Sequence, residues 1–180
     1  MFKILIIVIL FFPAFCIGED LIFDDFNNNP AKRWEFIADS VMGGVSEGNV
    51  LFIKDENKFY AKMIGNVSLE NNGGFIQFRR KIEQKLKDNL SGIKITVRGN
   101  GLEYYIHIRT KGTFLPWQYY QAPFIAQNSW EEIDVSFGKF ERSGIMLSRK
   151  FIAKNITSIA IVAFGKNHKA DIEVDNISFY

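Results

Sequence analysis

Cysteine is almost absent from this sequence. The single cysteine among 180 residues, Cys16, lies in an apolar segment at the amino terminus. We interpret residues 1–18 as a secretory signal peptide, so the remaining chain carries no thiol. Disulfide bonds, thiolate catalysis and cysteine-ligated metals are thereby excluded. The single domain that we expect over residues 19–180 must be stabilised by a hydrophobic core, and it is long enough to form one.

The amino-terminal segment has the three parts of a signal peptide. Lys3 supplies the positive charge, residues 4–12 form the apolar run, and Cys16-Ile17-Gly18 places small residues before a cleavage site at Glu19. The apolar run is shorter than the roughly 20 residues that a membrane span needs. We therefore expect an exported protein, either periplasmic or secreted. The alternative is a chain that keeps the segment as a membrane anchor.

The sequence also lacks a charge bias and is poor in histidine. Lys and Arg number 22 against 20 Asp and Glu, which gives a formal net charge of +2. This balance differs from the basic surface that nucleic-acid-binding proteins use. The two histidines, His107 and His168, have no paired spacing, which disfavours a zinc site or histidine-based catalysis. We expect no nucleic-acid partner, no metal, no cofactor and no enzymatic activity.

Alternation of apolar and polar residues is the dominant pattern, and it predicts half-buried strands. Residues 93–98 and 102–109 alternate on either side of Gly99-Asn100-Gly101, which predicts a hairpin. Further strands are predicted at 50–53, 59–64, 74–80, 119–124, 133–137, 156–164 and 171–180.

Details of these strands refine the prediction. The segment 156–164 is apolar on both faces and should be central, while a change of phase near Asp175-Asn176 indicates a bulge. Ile82, Leu86 and Leu90 give a thin helical signal by their spacing. Many short strands with polar turns predict an all-β antiparallel jelly-roll β-sandwich.

Two glycine doublets interrupt the early part of the chain, at Gly43-Gly44 and at Gly73-Gly74. No lysine and no helical pattern follows the first doublet, so a phosphate-binding loop is excluded. The string from Gly44 to Gly48 matches the serine-hydrolase elbow but lacks its strand–turn–helix context. We predict tight corners, where Asp39 and Ser46 bond nearby amides. Val41 and Val45 would pack inward, and Met42 would offer a partner contact.

Several separated motifs follow one another in an order that resembles a known family. They are Trp34 with Ala38-Asp39-Ser40-Val41-Met42-Gly43-Gly44-Val45-Ser46, Asn72-Gly73-Gly74-Phe75, Val97-Arg98-Gly99-Asn100-Gly101 with Tyr104, Tyr120-Gln121-Ala122-Pro123-Phe124, Trp130, Phe137 with Phe140, and Ile172-Glu173-Val174-Asp175-Asn176-Ile177. With these motifs the sequence resembles the complex I intermediate-associated protein 30 family. The resemblance implies a galactose-binding-domain-like jelly roll without catalysis. It also implies a role as an assembly factor whose protein partner is a membrane complex or its assembly intermediate.

The strand pattern also predicts one outward face rich in rings and planar donors. Its predicted members are Gln77, Arg79, Arg98, Tyr105, His107 and Arg109, rimmed by Trp117, Tyr119, Tyr120 and Gln121. We expect His107 to be solvated or ligand-facing. Such side chains suit a protein partner or sugar hydroxyls. The sequence therefore supports two functions for a monomeric domain, an assembly-type protein-interaction module and an extracytoplasmic carbohydrate-binding module.

Carboxylates near both ends of the domain leave one further alternative open. Asp24-Asp25 lie near the start of the first strand, and Asp171, Glu173 and Asp175 lie in the last predicted strand. Jelly rolls often pair their terminal strands, so these oxygens suit a calcium ion. The competing interpretation is a row of acids facing solvent.

Overall fold

The computed structural model describes residues 20–56 and 58–180, and the predicted signal peptide lies outside them. The strands are β1 Leu21–Asp24, β2 Trp34–Ala38, β3 Glu47–Asp55, β4 Lys58–Val67, β5 Phe75–Lys81, β6 Gly92–Gly99, β7 Glu103–Thr110, β8 Tyr120–Ile125, β9 Glu131–Ser136, β10 Glu141–Arg142, β11 Ile156–Phe164 and β12 His168–Phe179. Short 3-10 turns span Pro30–Lys32, Asp39–Met42, Glu70–Asn72, Phe137–Lys139 and Ala153–Asn155. In the described part of the chain, no helix has the length and apolarity to cross a bilayer.

The strands form two antiparallel sheets of six strands each, as the prediction of an all-β sandwich requires. The first sheet has the order β3-β4-β12-β6-β9, with β1 also paired to β12. The second sheet has the order β10-β8-β7-β11-β5-β2. The pairing of β1 with β12 brings the two terminal strands together, as expected of a jelly roll.

The core lies between the two sheets and is filled from both inner faces. Ile93 and Ile95 on β6 and Ile106 and Ile108 on β7 are fully buried, because their strands alternate with this phase. Strand β11 is buried along almost its whole length, since it lies between β7 and β5 in the second sheet. Its predicted central position is confirmed.

The predicted hairpin is wrong. Strand β6 pairs with β9 and β12, while β7 pairs with β8 and β11, so Gly99-Asn100-Gly101 crosses from one sheet to the other. The turn is tied to the segment after β8, because the N–H groups of Gly99 and Gly101 donate to the carbonyls of Gln127 and Ala126 at 2.6 and 2.8 Å. Alternation shows that a strand has one buried face, but it does not show which sheet the strand joins.

Two further predictions have opposite outcomes. The register of β12 against β6 shifts between Val174 and Asn176, which confirms the predicted bulge. The segment with Ile82, Leu86 and Leu90 forms an irregular connection between β5 and β6 instead of a helix. Leu86 is buried there and the other two pack against the core, so the spacing reflects burial in a loop.

Candidate functional site

The two glycine doublets meet at the carboxylate of Asp39, which is fully buried. Its Oδ1 accepts from the Ser46 N–H at 2.9 Å, and its Oδ2 accepts from the Ser46 hydroxyl and the Gly74 N–H at 2.5 Å each. The Phe75 N–H donates to the same oxygen at 3.2 Å. The predicted bonding of Asp39 and Ser46 to nearby amides is therefore confirmed. This corner joins the start of β3 to the start of β5, one strand from each sheet.

The carboxylate of Asp39 is held in its charged form. Burial alone would raise its pKa, but the Ser46 hydroxyl and the N–H groups of Gly74, Ser46 and Phe75 together lower the pKa below its usual range. Ser46 is part of this network, since its hydroxyl also accepts from the Ser68 N–H at 2.9 Å. The Ser46 hydroxyl therefore takes part in structural hydrogen bonds as donor and as acceptor. This arrangement agrees with the prediction of a tight corner instead of a serine-hydrolase elbow.

The glycines of this corner are needed for close approach to Asp39. A Cβ on Gly44 or Gly73 would overlap the Asp39 carboxyl group, and Gly43 has a left-handed φ of 90°. The corner does not bury its valines, so the prediction that Val41 and Val45 pack inward is wrong. Asp39 turns inward at the start of the 3-10 turn, which leaves the residues after it facing solvent. Met42 is exposed, and its role as a partner contact stays a prediction.

We expect Gly44→Ala to lower the free energy of unfolding by about 2 kcal/mol or more, because overpacking at a tight site costs on the order of 1–3 kcal/mol and also displaces Asp39. Urea unfolding monitored by tryptophan fluorescence measures the effect. Gly144→Ala is the matched control, since a Cβ there meets no described atom within 4 Å. Equal stability of the two variants would contradict this account of the corner.

The outer face of the second sheet has a depression along β11. Ser158 and Ala160 on this strand are small, and the register places Ala160 between Arg79 on β5 and His107 on β7. Small side chains between larger ones leave a cavity of about 80 Å³, which we call the trough. It is lined by Phe75, Gln77, Arg79, His107, Arg109, Pro116, Tyr119, Ser158, Ala160 and Phe164.

The trough brings together half of the predicted surface residues. Gln77, Arg79, His107, Arg109 and Tyr119 line it. Tyr105 and Gln121 lie on the same face, because they alternate with buried neighbours and Gln121 stands opposite His107 in the register. The sequence pattern did not indicate Ser158, Ala160, Pro116 or Phe164, since small residues in an apolar strand and residues at strand ends carry no recognisable signal.

His107 is a buried wall of the trough, so the expectation of a solvated histidine is wrong, while that of a ligand-facing histidine stays a prediction. Its side chain is only 8% exposed, and its ring stacks on Tyr119 with centroids 4.1 Å apart and an interplanar angle of 11°. Burial lowers the pKa of His107 to about 3, with Gln121 acting in the opposite direction, so the ring is neutral at physiological pH. Its Nε2 is buried without a hydrogen-bond partner.

Two arginines stand on opposite sides of the trough. The Arg79 guanidinium donates to Glu35 at 2.9 and 2.5 Å, and Glu35 is exposed. Arg109 instead donates to backbone carbonyls of the segment 113–116, at 3.0–3.3 Å. Burial lowers the pKa of Arg109, and the positive charge of Arg79 lowers it further. The two cations are therefore close enough to repel each other. The residues that line the trough include no carboxylate.

Beside the trough, two loops expose large apolar side chains. The segments 111–119 and 143–150 are joined at Ser143, whose hydroxyl accepts from the Tyr119 N–H at 3.0 Å and donates to the Trp117 carbonyl at 2.8 Å. The exposed fractions are 83% for Phe114, 63% for Trp117, 88% for Ile145 and 83% for Met146. We call these four residues the loop surface. Trp117 thus lies beside the trough instead of lining it.

Two predicted surface residues lie elsewhere. Arg98 is on β6 in the first sheet, where it pairs with Glu173 and packs over the Trp130 ring at 4.9 Å. The sequence pattern places it with the other sheet only if Gly99-Asn100-Gly101 forms a hairpin, which the strand order rules out. Tyr120 points into the core and donates its hydroxyl to the Ser148 carbonyl at 3.0 Å, since it has the opposite phase to Tyr119 and Gln121.

The terminal carboxylates are bound by cations. Asp24 accepts from Arg33 at 2.9 Å and from Arg80 at 2.5 Å, and Glu173 pairs with Lys62 at 3.0 Å and with Arg98. Burial would raise the pKa of each acid, but these hydrogen bonds and charges lower it. Among the described residues, no three Asp, Glu, His or Cys side chains converge as metal ligands, so these contacts give the calcium alternative no support.

The fold and the face just described define a two-sheet antiparallel jelly-roll sandwich with a trough on one outer face. The sequence profile of complex I intermediate-associated protein 30 (CIA30) matches residues 24–174. This match covers most of the chain, so the chain belongs to that family. A comparison with curated proteins gives no match.

Solved structures share the fold. The chain is similar to the family 11 carbohydrate-binding module of a cellulosomal cellulase of Clostridium thermocellum, with 15% identity, a TM-score of 0.72 and coverage of 89% of this chain and 94% of that one. The same organism's module in complex with a β-1,3-1,4-mixed-linked tetrasaccharide gives 15% identity, a TM-score of 0.73 and the same coverages. An agarase gives 10% identity and a TM-score of 0.60 over 89% of this chain and 24% of its own. At these identities the likeness concerns the fold alone.

Proposed function

We propose that this domain is a non-catalytic recognition module that binds a protein partner through the loop surface. The observation that carries the proposal is the exposure of four large apolar side chains on two loops that are hydrogen-bonded to each other. Aromatic residues and methionine are enriched at protein interfaces, so their high exposure on two linked loops favours an interaction site. Membership of the complex I intermediate-associated protein 30 family supports a membrane complex or its assembly intermediate as partner.

The local structure of the loops supports binding with little ordering cost. Gln118 accepts from the N–H groups of Phe114 and Leu115 at 2.8 and 3.0 Å, and Arg109 holds the same loop through its carbonyls. A loop that is already held in place loses little conformational freedom when it binds. The two segments carry Lys111, Arg149 and Lys150 and contain no acid, so the complementary partner has an acidic rim.

The setting of this activity is part of the proposal. The domain acts as a monomer outside the cytoplasm, after export on residues 1–18 and cleavage before Glu19. Mass spectrometry of the protein from its native cells is expected to find Glu19 as the first residue. An intact Met1 would instead support the membrane-anchored alternative.

A double variant tests the loop surface. Trp117→Ser with Ile145→Ser is expected to reduce the amount of a tagged chain that co-migrates with a larger complex on native gels about tenfold, since tryptophan is enriched among the few interface residues whose truncation costs over about 1 kcal/mol. Leu51→Ser on β3 of the first sheet is the matched control, because Leu51 is also an exposed apolar residue. Circular dichroism confirms folding of all variants. Unchanged co-migration of the double variant would contradict the proposal.

Glycan binding in the trough is a second candidate function, favoured by the geometry of the trough itself. Rings and planar side chains line an open depression in the sheet, and such groups cover the C–H faces and hydroxyls of sugars. The Clostridium thermocellum module with a bound tetrasaccharide has the same fold. Calorimetric titration with soluble oligosaccharides tests it. Binding that disappears in Tyr119→Ala but persists in Leu51→Ser supports this function, and the absence of any binding contradicts it.

A further inference from the structure

The positive charge of the two trough arginines is only partly compensated. Arg79 and Arg109 stand on opposite walls, with Ser158 and Ala160 between them and no Asp or Glu in the lining. Arg79 shares one exposed carboxylate, that of Glu35, while Arg109 has backbone carbonyls as partners. Two cations facing each other repel, and an anion placed between them turns this repulsion into two favourable interactions.

An independent observation points to a ligand at the same place. The His107 side chain, only 8% exposed, lines the trough with its Nε2 buried and unpartnered. The Oε1 of its cross-strand neighbour Gln121 is also buried without a partner. Buried polar atoms without partners cost free energy, and they are retained where a ligand or an ordered water completes their hydrogen bonds. The wall of the trough therefore contains one polar group, the His107 Nε2, whose hydrogen bond is not completed by the described residues.

The remaining lining fits a sugar better than a simple anion. Phe75, Phe164 and Tyr119 offer ring surfaces, and Gln77 offers an amide that both donates and accepts. A cavity of about 80 Å³ is too small to enclose a large ligand, so a long ligand would rest across the open strip above Ser158 and Ala160. An extended oligosaccharide with one carboxylate on each sugar ring fits this lining. Its rings can lie along the open strip, and a carboxylate can lie between the two arginines.

We propose that the trough binds an acidic oligosaccharide, with a uronic-acid carboxylate between Arg79 and Arg109 and its sugar ring over Ser158 and Ala160. This proposal rests on the second candidate function and names the ligand class. The carboxylate accepts charge-assisted hydrogen bonds from the guanidinium N–H groups that remain free. Binding is consequently sensitive to ionic strength, because the site is partly open to solvent.

Calorimetric titration of the full domain with a galacturonic acid tetramer and with its methyl ester tests the proposal. The ester keeps the sugar rings and their linkages, and it replaces each charged carboxylate with a neutral group that is one methyl larger. We expect the acid to bind about tenfold more tightly than the ester, since hydrogen bonds to a charged acceptor are stronger than those to a neutral one. Arg79→Gln is expected to abolish this preference, because it also leaves Glu35 to repel the ligand. Lys54→Gln on the first sheet is the control and keeps the preference.

The outcomes distinguish the inference of an acidic ligand from the more general proposal of glycan binding. Equal binding of acid and ester by the folded protein overturns the acidic-ligand inference and leaves glycan binding in place. Absence of binding by either probe and by neutral oligosaccharides overturns both. The comparison of the two probes on the unmodified chain does not depend on any variant, so a poorly folding variant would not obscure the result.

Discussion

Asp39→Ala is expected to lower the free energy of unfolding by about 4 kcal/mol or more. The substitution leaves two Ser46 donors and the N–H groups of Gly74 and Phe75 without their acceptor in a fully buried site. Each unsatisfied buried donor costs roughly 1–3 kcal/mol, with some recovery through entering water. A domain has only about 5–15 kcal/mol of stability, so the variant should be close to unfolding at room temperature. Chemical unfolding with two spectroscopic probes measures the loss.

The control for this prediction is Asp55→Ala, which removes an exposed carboxylate from β3 and is expected to change stability by less than about 0.5 kcal/mol. The pH dependence gives a second check. The pKa of Asp39 is lowered in the folded state, so its contribution is complete above the unfolded pKa of about 4 and is lost as the pH falls through the folded pKa. Asp39→Asn should therefore flatten the acid limb of the stability profile. A variant with an unchanged acid limb would contradict this assignment.

Asp24→Ala is expected to cost about 3 kcal/mol. Asp24 on β1 of the first sheet accepts from the Trp34 Nε1–H at 2.7 Å and from Arg80 at 2.5 Å, and both partners lie in the second sheet. The carboxylate therefore links the two layers near the amino-terminal end of the described chain. Breaking a fully buried ion pair costs roughly 3–5 kcal/mol, and the expected value lies at the low end because both arginine partners are partly exposed.

Asp25→Ala provides the matched control for Asp24. Asp25 is the next residue and is exposed, and within the described part of the chain its carboxylate accepts only the local bonds from Asn27, at 3.1 and 2.8 Å. We expect its removal to change stability by less than about 0.5 kcal/mol. Thermal unfolding of both variants under the same conditions makes the comparison. Similar losses in the two variants would show that Asp24 does not link the sheets energetically.

Local alternation explains why much of the fold could be predicted from the sequence. The segment 156–164, which is apolar on both faces, indicates a strand with neighbours on both sides, and the phase change at Asp175-Asn176 indicates a bulge, because both patterns depend only on nearby residues. The choice of sheet does not depend on nearby residues. Gly99-Asn100-Gly101 has the residue types of a hairpin turn. Its glycine N–H groups nevertheless donate to the segment after β8, and this non-local contact accompanies the crossing of the chain to the other sheet.

The same distinction applies to the candidate site. Alternation within a strand determines which of its side chains point outward. It places Gln77 and Arg79 on the outer face of β5, and His107 and Arg109 on the outer face of β7. These four residues share one face because β5 and β7 belong to the same sheet. Arg98 was misplaced because its sheet was misassigned. The floor of the trough was missed, since Ser158 and Ala160 have no chemistry of their own and matter only because larger side chains flank them.

The corner at Asp39 shows a further limit. The glycine doublets indicate close approach of the backbone, but the sequence does not show that both doublets approach the same carboxylate. The sequence also does not show that Asp39 is buried at this corner while Val41 and Val45 are exposed. The sequence pattern places Trp117 on the rim of the sheet face and does not indicate the loop surface, because Ile145 and Met146 are indistinguishable from core residues until the loop between β10 and β11 is placed.

Site-specific photo-cross-linking tests the central claim most directly, namely that the loop surface binds a protein partner. A photo-reactive amino acid is introduced separately at the positions of Trp117, Ile145 and Leu51, and the chain is irradiated in its native cells. We predict the same discrete cross-linked protein from the first two positions, identified by mass spectrometry as a component of a membrane complex, and no such product from the position of Leu51. The absence of a discrete product from the loop positions, or the same product from all three, would contradict the account.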